Sequence, residues 1–215
     1  MSSTFVCKAI LFDLDGVLVN SAECVERTWR EWSTRHGLNA EQVIAIAHGR
    51  RTLETVLAVA PHLDAASEVI ALEAREALVA EGVYEIAGAR QLVSMVPEDR
   101  WAVVTSGTRG IAEFRLKLVE IPIPQVMVCA DEISQGKPHP EGYLKAAAGL
   151  GFEPRDCIVI EDTPPGIEAA HAAGMRVIAV STTYPPRQLA AADSIVDRLD
   201  QLKIAIEREE IRVSC

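Results

Sequence analysis

The sequence predicts an α/β fold, with a doubly wound parallel sheet as its core and an all-helical domain inserted after the first strand. Two observations predict it. Short runs of apolar and β-branched residues recur along the 215-residue chain, each followed by a helical pattern. Such uniformly apolar runs are typical of strands that are covered on both faces of a parallel sheet. One connection between consecutive strands is also far longer than the crossover that a parallel pair requires.

The predicted strands are five apolar runs that end abruptly in polar residues: 9–12, 102–104, 126–128, 158–160 and 177–180. The polar residues that follow them, in chain order, are Asp13, Thr105, Asp131, Glu161 with Asp162, and Ser181. Because the carboxyl ends of parallel strands share one edge of a sheet, we expect these side chains to meet at a single cleft.

The long connection divides the chain into two predicted domains. Residues 18–83 are interpreted as the inserted helical domain, and residues 1–17 with 84–215 as the core domain. The two linkers would be 17–20 and 82–88, where glycine and small residues can absorb a hinge motion.

Two helices are predicted within the insertion. Ser21 is expected to cap a helix on which Val25, Trp29 and Trp32 share one face, with both tryptophans in the core of the insertion. A second helix, rich in Ala, Glu and Leu, is expected at 65–81.

Composition and charge narrow the possible partners. Hydrophobic residues make up 49% of the chain, which predicts a packed core, and the net charge of −10 argues against a dedicated nucleic-acid or anionic-membrane binder. An anionic substrate would need a local site with a metal ion and a few placed cations.

The cysteines indicate the compartment. There are five of them, without a C-x-x-C spacing, and the sequence shows no secretory signal and no long apolar run. These features favour buried thiols in a cytoplasmic protein.

The strongest motif is FDLDGVLVNS at residues 12–21, in which Asp13 and Asp15 follow a strand and precede a glycine. Two carboxylates at this spacing can divide the work: one binds metal and attacks phosphorus, while the other serves as an acid or base. The alternative is a solvated turn, since Asp-Gly is a common turn pair.

A second pair of acids, Glu161 and Asp162, follows the strand at 158–160 and precedes a helix that begins with proline. Mg²⁺ prefers hard oxygen ligands. Asp13, a backbone carbonyl near Asp15 and Asp162 would supply them, with Glu161 helping directly or through water. The alternative is a helix whose first turn favours acids because of the helix dipole.

Two weaker patterns suggest phosphate binding. Thr105, Ser106 and Gly107 lie between a strand and a helix, where hydroxyl and backbone donors can face a phosphoryl group. Lys137 lies in the proline-stiffened loop GKPHP, where it would balance the charge of Asp13 and a phosphate. Taken alone, such a lysine is more often solvated.

In combination, the order of these motifs resembles the four motifs of the haloacid dehalogenase superfamily, and the resemblance covers essentially the whole chain. It implies a Rossmann-like core, a helical cap, and a Mg²⁺-dependent phosphatase for a small phosphorylated metabolite. By this resemblance, Asp13 would form an aspartyl-phosphate, and Asp15 would protonate the leaving group and then activate water. Thr105 and the backbone N–H of Ser106 would hold the phosphoryl oxygens, and Lys137 would offset developing charge. The implied metal ligands are Asp13, Asp15, Glu161 and Asp162.

The insertion resembles the small cap of the sugar-phosphate and polyol-phosphate phosphatases, a branch near β-phosphoglucomutase. The segment HGRRT at 48–52 would then read the substrate, with Gly49 and Arg51 as its contacts. The alternative for this segment is a cationic helix start without a ligand.

Two other functions remain as alternatives. A phosphomutase that resembles β-phosphoglucomutase would carry a histidine ten residues beyond the second acid, where this chain has Val25. A catalytically silent binding module would be marked by the loss of Asp13 or Asp15, and both are present. The chain also departs from the resembled pattern at Asn20, where Asp is usual, and at Ala87, where Pro is common.

Overall fold

The structure, a computed structural model, describes residues 3–77 and 79–215. The strands, numbered along the chain, are β1 (Thr4–Cys7), β2 (Ala9–Phe12), β3 (Val19–Asn20), β4 (Tyr84–Glu85), β5 (Trp101–Val104), β6 (Val126–Val128), β7 (Cys157–Glu161), β8 (Arg176–Val180), β9 (Ser194–Val196), β10 (Lys203–Glu207) and β11 (Glu210–Ser214). The α-helices are α1 (Ala22–Arg35), α2 (Ala40–Ala47), α3 (Thr52–Val59), α4 (Ala65–Glu76), α5 (Ala89–Ser94), α6 (Arg109–Leu118), α7 (Glu141–Leu150) and α8 (Pro164–Ala172).

Six strands form a parallel sheet in the order β6-β5-β2-β7-β8-β9, which confirms the predicted fold class. The five predicted strands are all present, with bounds that differ by at most one residue. Within β2, Ile10 and Phe12 pack into the hydrophobic cluster on one face, and Ala9 and Leu11 pack into the cluster on the other. Burial on both faces explains why these strands are apolar throughout.

A smaller antiparallel sheet, in the order β1-β11-β10, and the edge strand β9 were not predicted. β11 lies in the middle of the smaller sheet and buries Ile211 and Val213 in the same cluster as one face of the large sheet. The outer strand β10 is mostly exposed, so its sequence lacks the apolar run on which the other strands were recognised.

The helices α1 to α4, which we call the helical insertion, lie between β3 and β4 and share a hydrophobic cluster of their own. Trp29 and Trp32 belong to that cluster and pack edge to face, with ring centroids 5.4 Å apart. β3 pairs antiparallel with β4, so the two predicted linkers form a short ladder where the chain enters and leaves the insertion.

Two details of the insertion differ from the sequence predictions. Ser21 does precede α1, but its hydroxyl donates to Asp15, and the first helical N–H donates to the side chain of Asn20 instead. α4 ends at Glu76 rather than Glu81, because the chain must turn there to bring β4 beside β3.

Cys7, Cys24, Cys129 and Cys157 are buried. Within residues 3–77 and 79–215, no helix is both long enough and apolar enough to cross a membrane.

Candidate active site

The carboxyl ends of β5, β2 and β7, which are neighbours in the sheet, bring Thr105, Asp13 and the Glu161–Asp162 pair to one edge. A cavity of about 350 Å³ opens there, between this edge and the helical insertion. Its lining includes Asp13, Asp15, Thr105, Ser106 and Asp162 from the predicted set. Five of the predicted side chains, which are scattered through the sequence, therefore face one space. Asp131 and Ser181, which were expected at the same cleft, follow β6 and β8, the strands that flank these three, and do not line the cavity.

Lys137 joins two of the acids at this edge. Its ammonium group donates to Asp13 Oδ1 and, at 2.6 Å, to Glu161 Oε1, and only 7% of the lysine is exposed. Burial alone would lower the pKa of Lys137, but the charges of Asp13 and Glu161 hold it well above its usual range. For Asp13, burial raises the carboxyl pKa to about 7 against the opposing charge of Lys137. Lys137 is therefore a fixed cation beside Asp13.

Glu161 is fully buried, and its carboxylate is well supplied with donors. Oε1 accepts from Lys137 and from the Tyr143 hydroxyl at 3.1 Å. Oε2 accepts from the backbone N–H groups of Asp162 and Thr163, each at 2.8 Å, and from the Thr163 hydroxyl at 2.9 Å. Burial would raise the pKa of Glu161, but Lys137 and these donors hold it below its usual value. The carboxylate anchors Lys137 and the start of α8, and direct metal binding would break these hydrogen bonds.

Asp162, the next residue, is also fully buried but has the opposite surroundings. Among the described residues, neither of its carboxylate oxygens accepts a hydrogen bond of normal geometry. Burial, followed by the charges of Glu161 and Asp13, raises the pKa of Asp162 well above its usual range, and the nearby Thr183 hydroxyl only partly opposes this. A buried carboxylate without donors needs a proton or a cation to compensate it.

Gly16 keeps space open beside this carboxylate. Its φ is +88°, and a Cβ added there would lie 1.9 Å from Asp162 Oδ2. Any other residue would clash with Asp162 and would also occupy a left-handed conformation that glycine tolerates best.

A divalent cation fits this arrangement. Carboxylate oxygens of Asp13, Glu161 and Asp162 all lie within 4.8 Å of one another. Three carboxylates against the single ammonium of Lys137 leave two unbalanced negative charges, which a divalent ion would neutralise. Because the oxygens of Glu161 already accept several hydrogen bonds, Asp13 and Asp162 are the residues best placed to bind the ion directly.

The carboxylate of Asp15 is oriented by two donors rather than directed at this cluster. Asp15 Oδ1 accepts from the Ser21 hydroxyl at 2.6 Å and from Arg115 Nη1 at 2.7 Å. Arg115 also donates to Glu76 of the helical insertion at 2.6 Å. Sequence reasoning missed Arg115. The signal that would have found it is an arginine on the core-facing side of α6, among Ile111, Ala112 and Leu116.

Thr105 and Ser106 lie where the sequence predicts them. Thr105 is 2% exposed, and its hydroxyl oxygen accepts the Gly107 N–H at 3.0 Å. The Ser106 hydroxyl donates to the Gly49 carbonyl of the helical insertion at 3.0 Å. The strand end after β5 therefore contacts both the cavity and the insertion.

Arg51 is placed differently from the sequence expectation. Its guanidinium is buried and donates to the carbonyls of Ile133 at 2.9 Å and Ser134 at 2.8 Å, in the loop that leads to Lys137. Gly49 does line the cavity, together with the neighbours His48 and Arg50, which sequence reasoning did not single out. The spacing of residues along the loop could not reveal which of two adjacent arginines faces the cavity.

A family model described as haloacid dehalogenase-like hydrolase matches residues 10–180, a range that contains all four motifs and the whole helical insertion. The chain belongs to the haloacid dehalogenase-like hydrolase family. Hexitol phosphatase A of Escherichia coli (strain K12) is 39% identical over 203 residues, which cover 92% of this chain and 94% of that protein. Glycerol-1-phosphate phosphohydrolase 1 of Saccharomyces cerevisiae is 36% identical over 188 residues, covering 82% and 75% respectively.

Among solved structures, CbbY from Rhodobacter sphaeroides in complex with phosphate is similar, with a TM-score of 0.78, 26% identity, and coverage of 89% of this chain and 94% of that chain. The relatives are named phosphatases of this family. The predicted family and enzyme class, a phosphoric monoester hydrolase, are thereby confirmed.

Proposed function

We propose that this chain is a Mg²⁺-dependent phosphatase that hydrolyses a small sugar or polyol phosphate through an aspartyl-phosphate at Asp13. One observation carries the proposal: Asp13, held by Lys137, lines the same cavity as Asp162, a buried carboxylate that accepts no hydrogen bond of normal geometry from the described residues. An attacking carboxylate and an uncompensated one at the same place are what metal-assisted phosphoryl transfer requires.

In the first step, a carboxylate oxygen of Asp13 forms a bond to phosphorus while the bond from phosphorus to the ester oxygen breaks. Asp15 donates a proton to the departing oxygen and becomes a carboxylate. In the second step, Asp15 takes a proton from water, whose oxygen attacks phosphorus and releases phosphate. Asp13 is regenerated as a carboxylate. Ser21 and Arg115 hold Asp15 Oδ1, so we assign the proton transfer to Oδ2.

The remaining residues bind and orient the phosphoryl group. Thr105 and the backbone N–H of Ser106 would donate to its oxygens, and Lys137 would offset the charge that develops beside Asp13. Asp13 and Asp162 would hold Mg²⁺, with Glu161 and Asp15 contributing indirectly. The bound ion supplies positive charge that lets two anions, a carboxylate and a phosphoester, approach each other.

The substrate class follows from the relatives and from the upper wall of the cavity. Both named relatives act on phosphorylated polyols, a hexitol and glycerol. Glu26, Glu73 and Glu76 of the helical insertion line the cavity here, together with Trp29. Carboxylates accept hydrogen bonds from hydroxyl groups, so Glu26 and Glu73 suit a polyhydroxy leaving group, whereas Glu76 is already paired with Arg115. Arg50 lines the same cavity, so the preference for a neutral leaving group rests on the relatives.

We also propose that residues 18–83 act as a cap over a core formed by 1–17 and 84–215. The β3–β4 ladder would form the hinge.

The mutase alternative is disfavoured because Val25, an apolar residue, lines the cavity where a mutase of the resembled type carries histidine.

The test is a screen of hexitol phosphates, glycerol phosphate, 2-deoxyglucose 6-phosphate, phosphoglycolate and nucleotides, scored by kcat/KM with Mg²⁺ and with EDTA. We expect Mg²⁺-dependent release of phosphate, the highest kcat/KM for polyol or sugar phosphates, and no turnover by Asp13→Asn. A best substrate with an anionic leaving group, such as phosphoglycolate, would contradict the substrate class. An isomerised sugar phosphate as the main product would favour the mutase.

A further inference from the structure

The loop that carries Lys137 is held from two sides. On the core side, the carboxylate of Glu141 accepts the backbone N–H groups of Ser134 at 3.0 Å and Gln135 at 2.9 Å. On the other side, Arg51 of the helical insertion donates to carbonyl groups of the same loop. The loop is therefore clamped between α7 and the insertion.

Glu54 completes the contact from the insertion. Its Oε1 accepts from Arg51 Nε at 2.8 Å and from the backbone N–H of Gly136 at 3.0 Å. Gly136 immediately precedes Lys137, whose ammonium group reaches Asp13. A Cβ at Gly136 would lie 2.8 Å from Arg51 Nε and 2.9 Å from Glu54 Oε2, so the insertion packs directly against this backbone.

We propose that Arg51 and Glu54 are positioning residues that set the place of Lys137 beside Asp13 from the opposite side of the domain boundary. The inference rests on the proposed function of Lys137 in phosphoryl transfer. Arg51 is 7% exposed, and a guanidinium can bind several carbonyls and a carboxylate at once because its donors are arranged in a rigid fork. A lysine at this position keeps the charge but cannot hold the same set of acceptors.

The positioning role predicts a different kinetic pattern from a substrate contact. Displacement of Lys137 disturbs the phosphoryl group that every substrate shares, so kcat should fall by the same factor for all esters. A substrate contact acts on the leaving group, so its loss should raise KM for the natural class of substrate and spare a small artificial ester.

The experiment measures kcat and KM of the wild type, Arg51→Lys, Glu54→Gln and Gly136→Ala on p-nitrophenyl phosphate and on sorbitol 6-phosphate. We expect kcat to fall about 10- to 100-fold, by the same factor on both esters, with a smaller change in KM. Arg35→Lys, at an exposed arginine on the same insertion, is the matched control and should leave both constants unchanged. Glu54→Gln keeps Arg51 in place, so this variant tests the proposal if Arg51→Lys does not fold.

A second readout separates positioning from simple stabilisation of the fold. Lys137 is one of five lysines, and its ¹³Cε NMR signal can be assigned by its loss in Lys137→Arg. We expect Glu54→Gln to shift this signal. A KM effect confined to sorbitol 6-phosphate, or a lower Tm with kcat and the lysine signal unchanged, would overturn the proposal. If the wild type hydrolyses neither these two esters nor any member of the substrate screen, the proposed function fails, and the lysine signal still decides whether Glu54 positions Lys137.

Discussion

Glu161 and Asp162 are adjacent acids with the same exposed fraction, 0%, yet their surroundings differ completely. Glu161 accepts from Lys137, Tyr143, Thr163 and backbone N–H groups. Asp162 accepts no hydrogen bond of normal geometry from the described residues. Burial of an uncompensated carboxylate costs several kcal/mol. We therefore infer that Glu161 organises the site and that Asp162 is kept for a cation.

Replacement of Asp162 by asparagine tests this division of roles. The amide lacks the charge that would attract a divalent cation, so Mg²⁺ should no longer raise the Tm of Asp162→Asn. The kcat of this variant should be lower than that of the wild type by at least about 100-fold. The metal-free variant should still fold, since the buried amide carries no charge. Thermal unfolding with and without Mg²⁺ checks the first expectation. An Mg²⁺-induced shift equal to that of the wild type would contradict it.

Gly16→Ala tests whether the space beside Asp162 matters. The added Cβ would lie 1.9 Å from Asp162 Oδ2, and the residue would keep a φ of +88°. Gly174→Ala is a matched control, because Gly174 has a similar φ of +78° and no atom of the described residues within 4 Å of its added Cβ. Backbone strain should lower the free energy of unfolding of both variants by about 1 kcal/mol, and the clash with Asp162 should lower that of Gly16→Ala further.

Only Gly16→Ala should also weaken Mg²⁺ binding, measured by titration calorimetry, and reduce turnover. Equal behaviour of the two variants in these assays would show that the space beside Asp162 has no role.

At the scale of elements, α6 and α4 are joined across the cavity by the ion pair of Arg115 and Glu76. The side chains are 5% and 13% exposed, and Arg115 also holds Asp15. Removal of Arg115 would leave two carboxylates facing each other in a buried place, whereas removal of Glu76 would leave Arg115 paired with Asp15.

Arg115→Met should therefore destabilise the protein more than Glu76→Gln does. We expect Arg115→Met to lower the free energy of unfolding by about 3 kcal/mol, because it removes a buried charged partner, and Glu76→Gln to lower it by less. Urea unfolding of both variants measures the difference. A larger effect of Glu76→Gln would reverse the assignment of Arg115 as the hub of this network.

The elements also show what a sequence can and cannot reveal. The strands of the large sheet were predictable because burial on both faces requires uninterrupted apolar residues, as in β7. β10 was not predictable, because its residues are largely exposed and show no apolar run. It is held in the smaller sheet by antiparallel pairing with β11, the next strand along the chain. The order of the motifs predicted that Asp13 and Asp162 lie close together, because each follows the carboxyl end of a strand in the same parallel sheet. The direction of the Arg51 side chain depends on contacts with residues 133 and 134, which no local pattern specifies.

For the whole molecule, the acidic site links stability to pH and metal. In the metal-free protein, burial raises the pKa of Asp13 from 3.8 to about 7. Between these two values the native state holds a proton that the unfolded chain has released. The contribution of Asp13 to the free energy of unfolding therefore falls as pH rises through this window.

The prediction is a pH-dependent difference between wild type and Asp13→Asn, measured by urea unfolding in EDTA from pH 5 to pH 8. Relative to that of the variant, the free energy of unfolding of the wild type should fall by up to about 1.4 kcal/mol per pH unit as the pH rises toward 7. Mg²⁺ should reduce this loss, because metal binding favours the deprotonated carboxylate. A difference between the two proteins that does not change with pH would contradict the linkage.

The attack of Asp13 on phosphorus can be tested by trapping the intermediate. The wild type turning over sorbitol 6-phosphate with Mg²⁺ would be quenched rapidly and treated with borohydride, which reduces an acyl phosphate to an alcohol, and the peptides would be mapped by mass spectrometry. Homoserine at position 13, absent from Asp13→Asn, is the expected result. Homoserine at Asp15 instead, or an unmodified Asp13 during active turnover, would contradict a phosphoryl group carried by Asp13.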